Sequence, residues 1–320
     1  MPIDETLARY SDLSFETAFV VYLLALVLFV AEFAAVRVRR TAPVLVSAAT
    51  TSASSPEVPG RVVEPVRRQW SDRLGRMGVS VIVVALILHI GSMVLRGLAT
   101  ARFPWGNMYE FVTVTCAVGV LAGLIVLRRP GLRVLWAFAL IPVLLLLFVA
   151  GTVLYADAAP VVPALQSFWL PIHVSVVSVS SGVFLVSGVA STLFLLALNA
   201  ETRPHTRLAR FMQRLPDARA LDRLAYRTTI FAFPLFGAGV VLGAIWAEAA
   251  WGRFWGWDPK ETVSFIAWVI YAAYLHARAT AGWRETRAAW INIVGFVAML
   301  FNLFIINMVV SGLHSYAGLN

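Results

Sequence analysis

One cysteine, Cys116, and one lysine, Lys260, occur in 320 residues. A single cysteine excludes an internal disulfide, a CxxC redox pair and a CxxCH motif. Cys116 falls within an apolar run and reads as a small buried core residue, so any thiol chemistry must come from another protein. Charge is scarce as well: Asp, Glu, Lys and Arg make up 13% of the chain against 60% hydrophobic residues, with a mean hydropathy of +0.79. That balance excludes a soluble domain of any size, and no internal repeat is present. A basic leader is also missing. Asp4, Glu5 and Asp12 precede the first apolar run, which is too long for a signal-peptide core, so that run is expected to be a retained span and not a cleaved signal.

What is present is a succession of apolar runs of about 20 residues, each enough to cross roughly 30 Å of hydrocarbon. Eight are expected, near 17–36, 78–98, 109–127, 134–155, 173–198, 229–247, 263–282 and 288–311. The expected fold class is an all-α, polytopic integral membrane protein with about eight transmembrane helices. The net charge of +9 suits nucleic acid only superficially, because 21 of the 26 Lys and Arg residues fall in four segments. These are Arg37–Arg76, Arg128–Arg133, Arg203–Arg227 and Arg278–Arg287, which are alternate connections. The positive-inside rule puts all four in the cytoplasm and both termini outside, with no nucleic-acid partner. Residues 41–60, rich in Ser, Thr, Ala and Pro, read as a flexible cytoplasmic linker. A division follows into an N-terminal helix with its linker, residues 1–76, and a membrane domain, residues 77–320. Between Arg203 and Arg227, Leu208, Phe211, Met212, Leu215, Leu221 and Leu224 recur near helical spacing among arginines. An amphipathic helix on the inner leaflet, broken at Pro216, is expected there.

Between the sixth and seventh runs lies Trp251-Gly-Arg-Phe-Trp255-Gly-Trp257-Asp258-Pro-Lys-Glu261. It is too polar to span a bilayer and too aromatic for an ordinary loop. Interfacial aromatic belts are scattered among helix ends, whereas this run is dense and spaced by glycine. It reads as a flat apolar platform with charged edges, on the outer side. His173 and His314 stand at outer mouths of the fifth and eighth spans. Each alone is either a polar cap or a ligand. Together with the cluster they point to a shared binding role, and a pair of neutral imidazoles suits haem iron. Asp258 either orients a ligating histidine or caps the helix that Pro259 begins. His276 and His89 lie deep within spans, where an ionisable residue is either functional or satisfied by one hydrogen bond. Arg253, Lys260 and Arg102 are candidate partners for haem propionates. His205 reads as solvated.

WGRFWGWDPKE resembles the tryptophan-rich "WWD" signature of the haem-handling membrane proteins of cytochrome c biogenesis. Gly106-Asn107-Met108-Tyr109-Glu110, Pro163 to His173 with its Phe168-Trp169, and Gly312-Leu313-His314-Ser315-Tyr316 add to the resemblance, which is closest to the CcsA type of the System II pathway, also called CcsB or ResC. It runs from about residue 80 to the C-terminus. It implies a protein of a bacterial cytoplasmic membrane that works with a ResB/Ccs1-type membrane subunit. Together they carry haem b across the bilayer and present it for thioether attachment to CxxCH of an apocytochrome c, as part of a holocytochrome c synthase complex. It implies that His173 and His314 ligate an outer haem packed on Trp251, Trp255 and Trp257 beside Asp258, in an outer loop of about residues 248–262. It implies that His276 ligates haem within the membrane, with the other axial ligand from the partner. A thioredoxin-like reductant would keep the apocytochrome thiols reduced. His89 has no assigned part. Two other readings stand beside this one: CcmC-like delivery of haem to a chaperone, and a b-type cytochrome subunit for electron transfer.

Overall fold

A computed structural model describes residues 3–35, 70–161 and 163–314 of the protein. The linker expected at 41–60, most of the first arginine segment, and Ser315 and Tyr316 lie outside the described residues. Those residues form helices and turns, with no strand among them. The helices are α1 (Glu5–Ala35), α2 (Trp70–Thr100), α3 (Met108–Val126), the single turn α4 (Pro130–Arg133), α5 (Trp136–Thr152), α6 (Trp169–Thr202), the short α7 (Arg207–Met212), α8 (Ala218–Trp251), α9 (Pro259–Ala279) and α10 (Thr286–Met308). A 3₁₀ turn, Pro163–Leu165, lies in the loop between α5 and α6.

Each of the eight expected runs is represented by a long helix. Seven are long and apolar enough to cross a membrane, which makes this a multi-pass membrane protein. The eighth, α9, opens on Lys260 and Glu261 and closes on His276 and Arg278. Its 21 residues still extend about 30 Å at 1.5 Å per residue. α1, α2, α6 and α8 have 31 to 34 residues. They exceed the roughly 20 residues a bilayer needs, so their ends project beyond the apolar layer or the helices tilt.

α6 is the central helix. It packs against α3, α5, α8 and α10, while α1 lies along α2 and α9 along α10. Small residues allow the close crossing of α3 and α6. A Cβ built on Gly182 would sit 2.7 Å from the Gly119 backbone nitrogen, so the two backbones touch at a small-residue crossing of the kind favoured in membranes. Farther along the same helix, Ser187 and Ser191 accept hydrogen bonds from Asn292 of α10 (2.8 and 2.7 Å), and Ser187 pairs with Thr229 of α8 (2.6 Å). Buried polar side chains thus join three helices where lipid offers no alternative partner.

The Arg203–Arg227 segment is not one surface helix. It breaks at Pro216 as expected, but residues 218–227 are the opening turns of α8, capped by Asp217, which accepts from the Ala220 N–H (2.8 Å). No proline or glycine separates Ala218 from Phe233, and Leu221, Leu224 and Ala225 are buried in the core. The helix therefore propagates into the span, because packing and propensity agree.

Candidate functional site

The start of α6, the end of α8, the start of α9 and the turn after α10 meet at one end of the bundle. They bring His173, Trp246, Trp251, Asp258 and His314 together. The His173 and Trp246 rings stack, with centroids 6.0 Å apart and planes 9° apart. Trp246 meets the His314 ring edge to face at 5.6 Å, and Trp251 does the same at 5.0 Å. Trp246 and Trp251 also pack edge to face, at 4.8 Å. Trp246, only 1% exposed, therefore stands against both imidazoles. Its place was not legible in the sequence, because it lies in the apolar run before the cluster.

Both imidazoles are held at Nδ1. His173 Nδ1 lies 2.8 Å from the Gly239 carbonyl oxygen of α8. A carbonyl only accepts, so Nδ1 carries the proton and the lone pair is on Nε2. His314 Nδ1 lies 2.8 Å from Asp258 Oδ2, which fixes the same tautomer. Metal-ligating histidines are commonly oriented in this way, by a carbonyl or carboxylate on the other nitrogen. Burial pushes the His314 pKa below the ordinary imidazole value, and the Asp258 hydrogen bond offsets this only in part. That shift favours the neutral ring, the form in which an imidazole can act as a ligand.

Asp258 caps a helix and holds a histidine at once. It is the N-cap of α9, accepting from the Lys260 N–H (3.2 Å), and Glu261 Oε2 completes a capping box by accepting from the Asp258 N–H (3.2 Å). The same carboxylate accepts from the Leu313 N–H (2.7 Å) and from His314. Burial alone would raise its pKa, but these hydrogen bonds and the His314 ring hold it below the usual carboxylate range. One residue thereby starts a helix and anchors the turn that carries a histidine. Gly243 of α8 makes room for the other histidine, since a Cβ there would fall 2.7 Å from His173 Cε1.

Two adjoining cavities of about 100 and 90 Å³ open here. His173, His314 and Lys260 line both. Their walls are apolar with few polar groups, as those of ligand sites usually are. Lys260 Nζ donates to Asn307 Oδ1 (2.5 Å), and no carboxylate pairs with it at ion-pair distance among the described residues.

The tryptophans of the 251–257 run do not form one platform. Trp251 touches His314, Trp255 lines the larger cavity, and Trp257, at a positive φ of 58°, is 69% exposed. Arg253 folds back over Gly256, where any Cβ would collide with its guanidinium, and it lines neither cavity. Arg102 is committed elsewhere too. It donates to Glu110 (2.8 and 3.0 Å) and to the Ala159 carbonyl, and Arg96 Nε also reaches Glu110 (2.8 Å). A buried carboxylate requires such compensation, which takes Arg102 out of any ligand-binding part. The run Gly106–Glu110 gains a structural account: Asn107 caps α3 by accepting from the Glu110 N–H, and Glu110 accepts from the Gly106 N–H.

His276 and His89 do not join the pair. His276 sits in the last turn of α9, exposed on the outside of the bundle. His89 is fully buried between α1 and α2, with Nδ1 3.4 Å from the Tyr22 hydroxyl and no hydrogen bond at Nε2 among the described residues. His205 lies exposed in the turn before α7.

The sequence profile of the family described as "Cytochrome C assembly protein" matches residues 105–314. The chain is 32% identical to "Cytochrome c biogenesis protein CcsA" of Guillardia theta over 278 residues, covering 82% of this chain and 90% of that protein. It is 34% identical to the protein of the same description in Parasynechococcus marenigrum (strain WH8102) over 271 residues, covering 75% and 87%. A solved structure, "Cytochrome c Heme Lyase CcmF", superposes with a TM-score of 0.61 at 16% identity. The superposition takes in 95% of this chain and 47% of that one, so this chain spans about half its length. That likeness shows a shared fold.

Proposed function

The chain belongs to the cytochrome c assembly protein family and is a membrane protein of cytochrome c biogenesis, and within that role we propose that it captures haem between His173 and His314 and presents it to an apocytochrome c. The observation that carries this is the pairing of two imidazoles on the walls of shared cavities, each with Nδ1 engaged and the lone pair on Nε2. Haem is cargo here. The protein supplies two neutral nitrogen ligands, a buried tryptophan against both, and apolar walls that exclude water. No acid or base in the cavity is needed for thioether formation, which would rest on proximity and orientation.

Lys260 is suited to hold a carboxylate of the cargo, as a half-buried ammonium whose hydrogen-bond partner among the described residues is an amide. Trp257, exposed at the rim, is placed to meet the incoming apocytochrome. His276, facing away from the bundle, suits a ligand for haem shared with a ResB/Ccs1-type subunit. Transport of haem b across a bacterial cytoplasmic membrane, thiol reduction by a thioredoxin-like protein, and membership of a holocytochrome c synthase complex complete the reading. A b-type electron-transfer subunit usually buries both ligands within its bundle, whereas the pair here lies at helix ends.

The test is haem retention. His173→Ala and His314→Ala should each lose most of the Soret absorbance of the purified complex and most of the holocytochrome yield, with partial recovery on adding imidazole. Full haem loading of the double variant would refute the ligand assignment.

A further inference from the structure

The opposite end of the bundle holds a second, unrelated feature. α3 and α8 both pack on α6 and leave between them a groove of about 780 Å³. Its apolar wall includes Ala122 and Val126 of α3, Val183 of α6, and Leu224 and Phe231 of α8. Around its rim stand Arg128, Arg129, Arg223 and Arg227, all exposed.

Two other arginines at this end are neutralised within the chain. Arg133 pairs with Glu32 and Asp72, and Arg278 with Asp222. The four groove arginines have no carboxylate at ion-pair distance among the described residues. The one acid lining the groove, Asp217, is committed to capping α8. Four guanidinium groups thus converge on an apolar trough at the level where α3 leaves its apolar run. Each presents a donor fork that matches phosphate oxygens.

We propose that this groove is a binding site for an acidic phospholipid, its phosphate held by the arginines and an acyl chain lying along the floor. Charge complementarity selects the anionic head, and basic pockets between helices on the cytoplasmic side are known to take such lipids. The trough selects an amphiphile over a free anion. The site is separate from the histidine cavities and does not depend on the haem reading.

The experiment uses the full chain in nanodiscs and native mass spectrometry after release into detergent. Dioleoyl phosphatidylglycerol should remain bound and dioleoyl phosphatidylcholine should not. Arg223→Gln/Arg227→Gln should cut phosphatidylglycerol retention by at least about tenfold. Arg284→Gln/Arg287→Gln, at the same end but off the groove, should leave it unchanged. Equal retention of the two lipids by the wild-type protein, a measurement that needs no variant to fold, would overturn the proposal. So would equal loss in both variants, displacement of the lipid by millimolar inorganic phosphate, or displacement by equimolar haemin, which would make the groove a haem site.

Discussion

Two regions of this helical bundle, the histidine site and the arginine groove at the other end, handle charge in opposite ways. At the histidine end, two carboxylates are buried and answered within the chain. Glu110, 1% exposed, accepts from Arg96, Arg102 and the Gly106 N–H. Asp258 answers His314, Leu313 and the start of α9. At the arginine end, four guanidinium groups around the α3–α8 groove have no acid from the chain. On the function proposed above, a site that must hold two imidazoles in fixed tautomers needs its electrostatics settled before the ligand arrives, because a metal ligand left to reorient loses affinity. A surface that meets an anionic leaflet needs the reverse, since cations already paired would gain little from it.

That contrast can be broken in graded steps. The largest effect is expected at Glu110. Glu110→Ala removes the carboxylate that Arg102 and the buried Arg96 share, leaving Arg96 only the Asp12 carboxylate at 3.7 Å, and should cost about 3–5 kcal/mol, read as a large fall in thermal stability in detergent. An unchanged midpoint would mean that the network is not what holds this end together. Next is Asp258→Asn. It keeps a helix cap but removes the charge that orients His314, and should weaken haem affinity about 10–100-fold while the protein still folds. A spectral titration with haemin reads it, and wild-type affinity would show that His314 needs no such partner. The smallest effect belongs to the other end. Arg223→Gln/Arg227→Gln in lipid-free detergent should shift stability by no more than about 0.5 kcal/mol, because the chain gives those side chains no ion-pair partner to lose. A large loss there would erase the distinction between the two ends.

The relatives sharpen what is specific to each end. The matched family region, residues 105–314, begins beside the Gly106–Glu110 run and ends on His314. It therefore encloses all of the residues that settle the histidine end from the chain's own side except Arg96 and Arg102. Those two come from the end of α2 and the loop after it, so the N-terminal part of the chain is built into the same network.

The sequence by itself determined the class of molecule. Eight apolar runs and a one-sided distribution of arginine suffice, because each long helix satisfies its own backbone and hydrophobic length sets its span. It also determined which residue types were candidates, since histidine at the mouth of an apolar run is costly without a purpose. Even the capping by Asp258 was open to a local reading, because capping depends on neighbours two or three residues away. Tertiary structure decided the rest. Trp246 is one apolar residue among many until α8 packs its ring against His173. Arg102 is one more outer cation until α3 carries Glu110 to it. Trp257, equal to its neighbours in the motif, turns out toward solvent. Arg128 and Arg223 are 95 residues apart in the chain, and only the splay of α3 and α8 over α6 sets them on one groove. Periodicity reports which residues leave water, but which partners they then meet depends on helix crossings fixed by contacts such as Gly119 on Gly182, far apart in the chain.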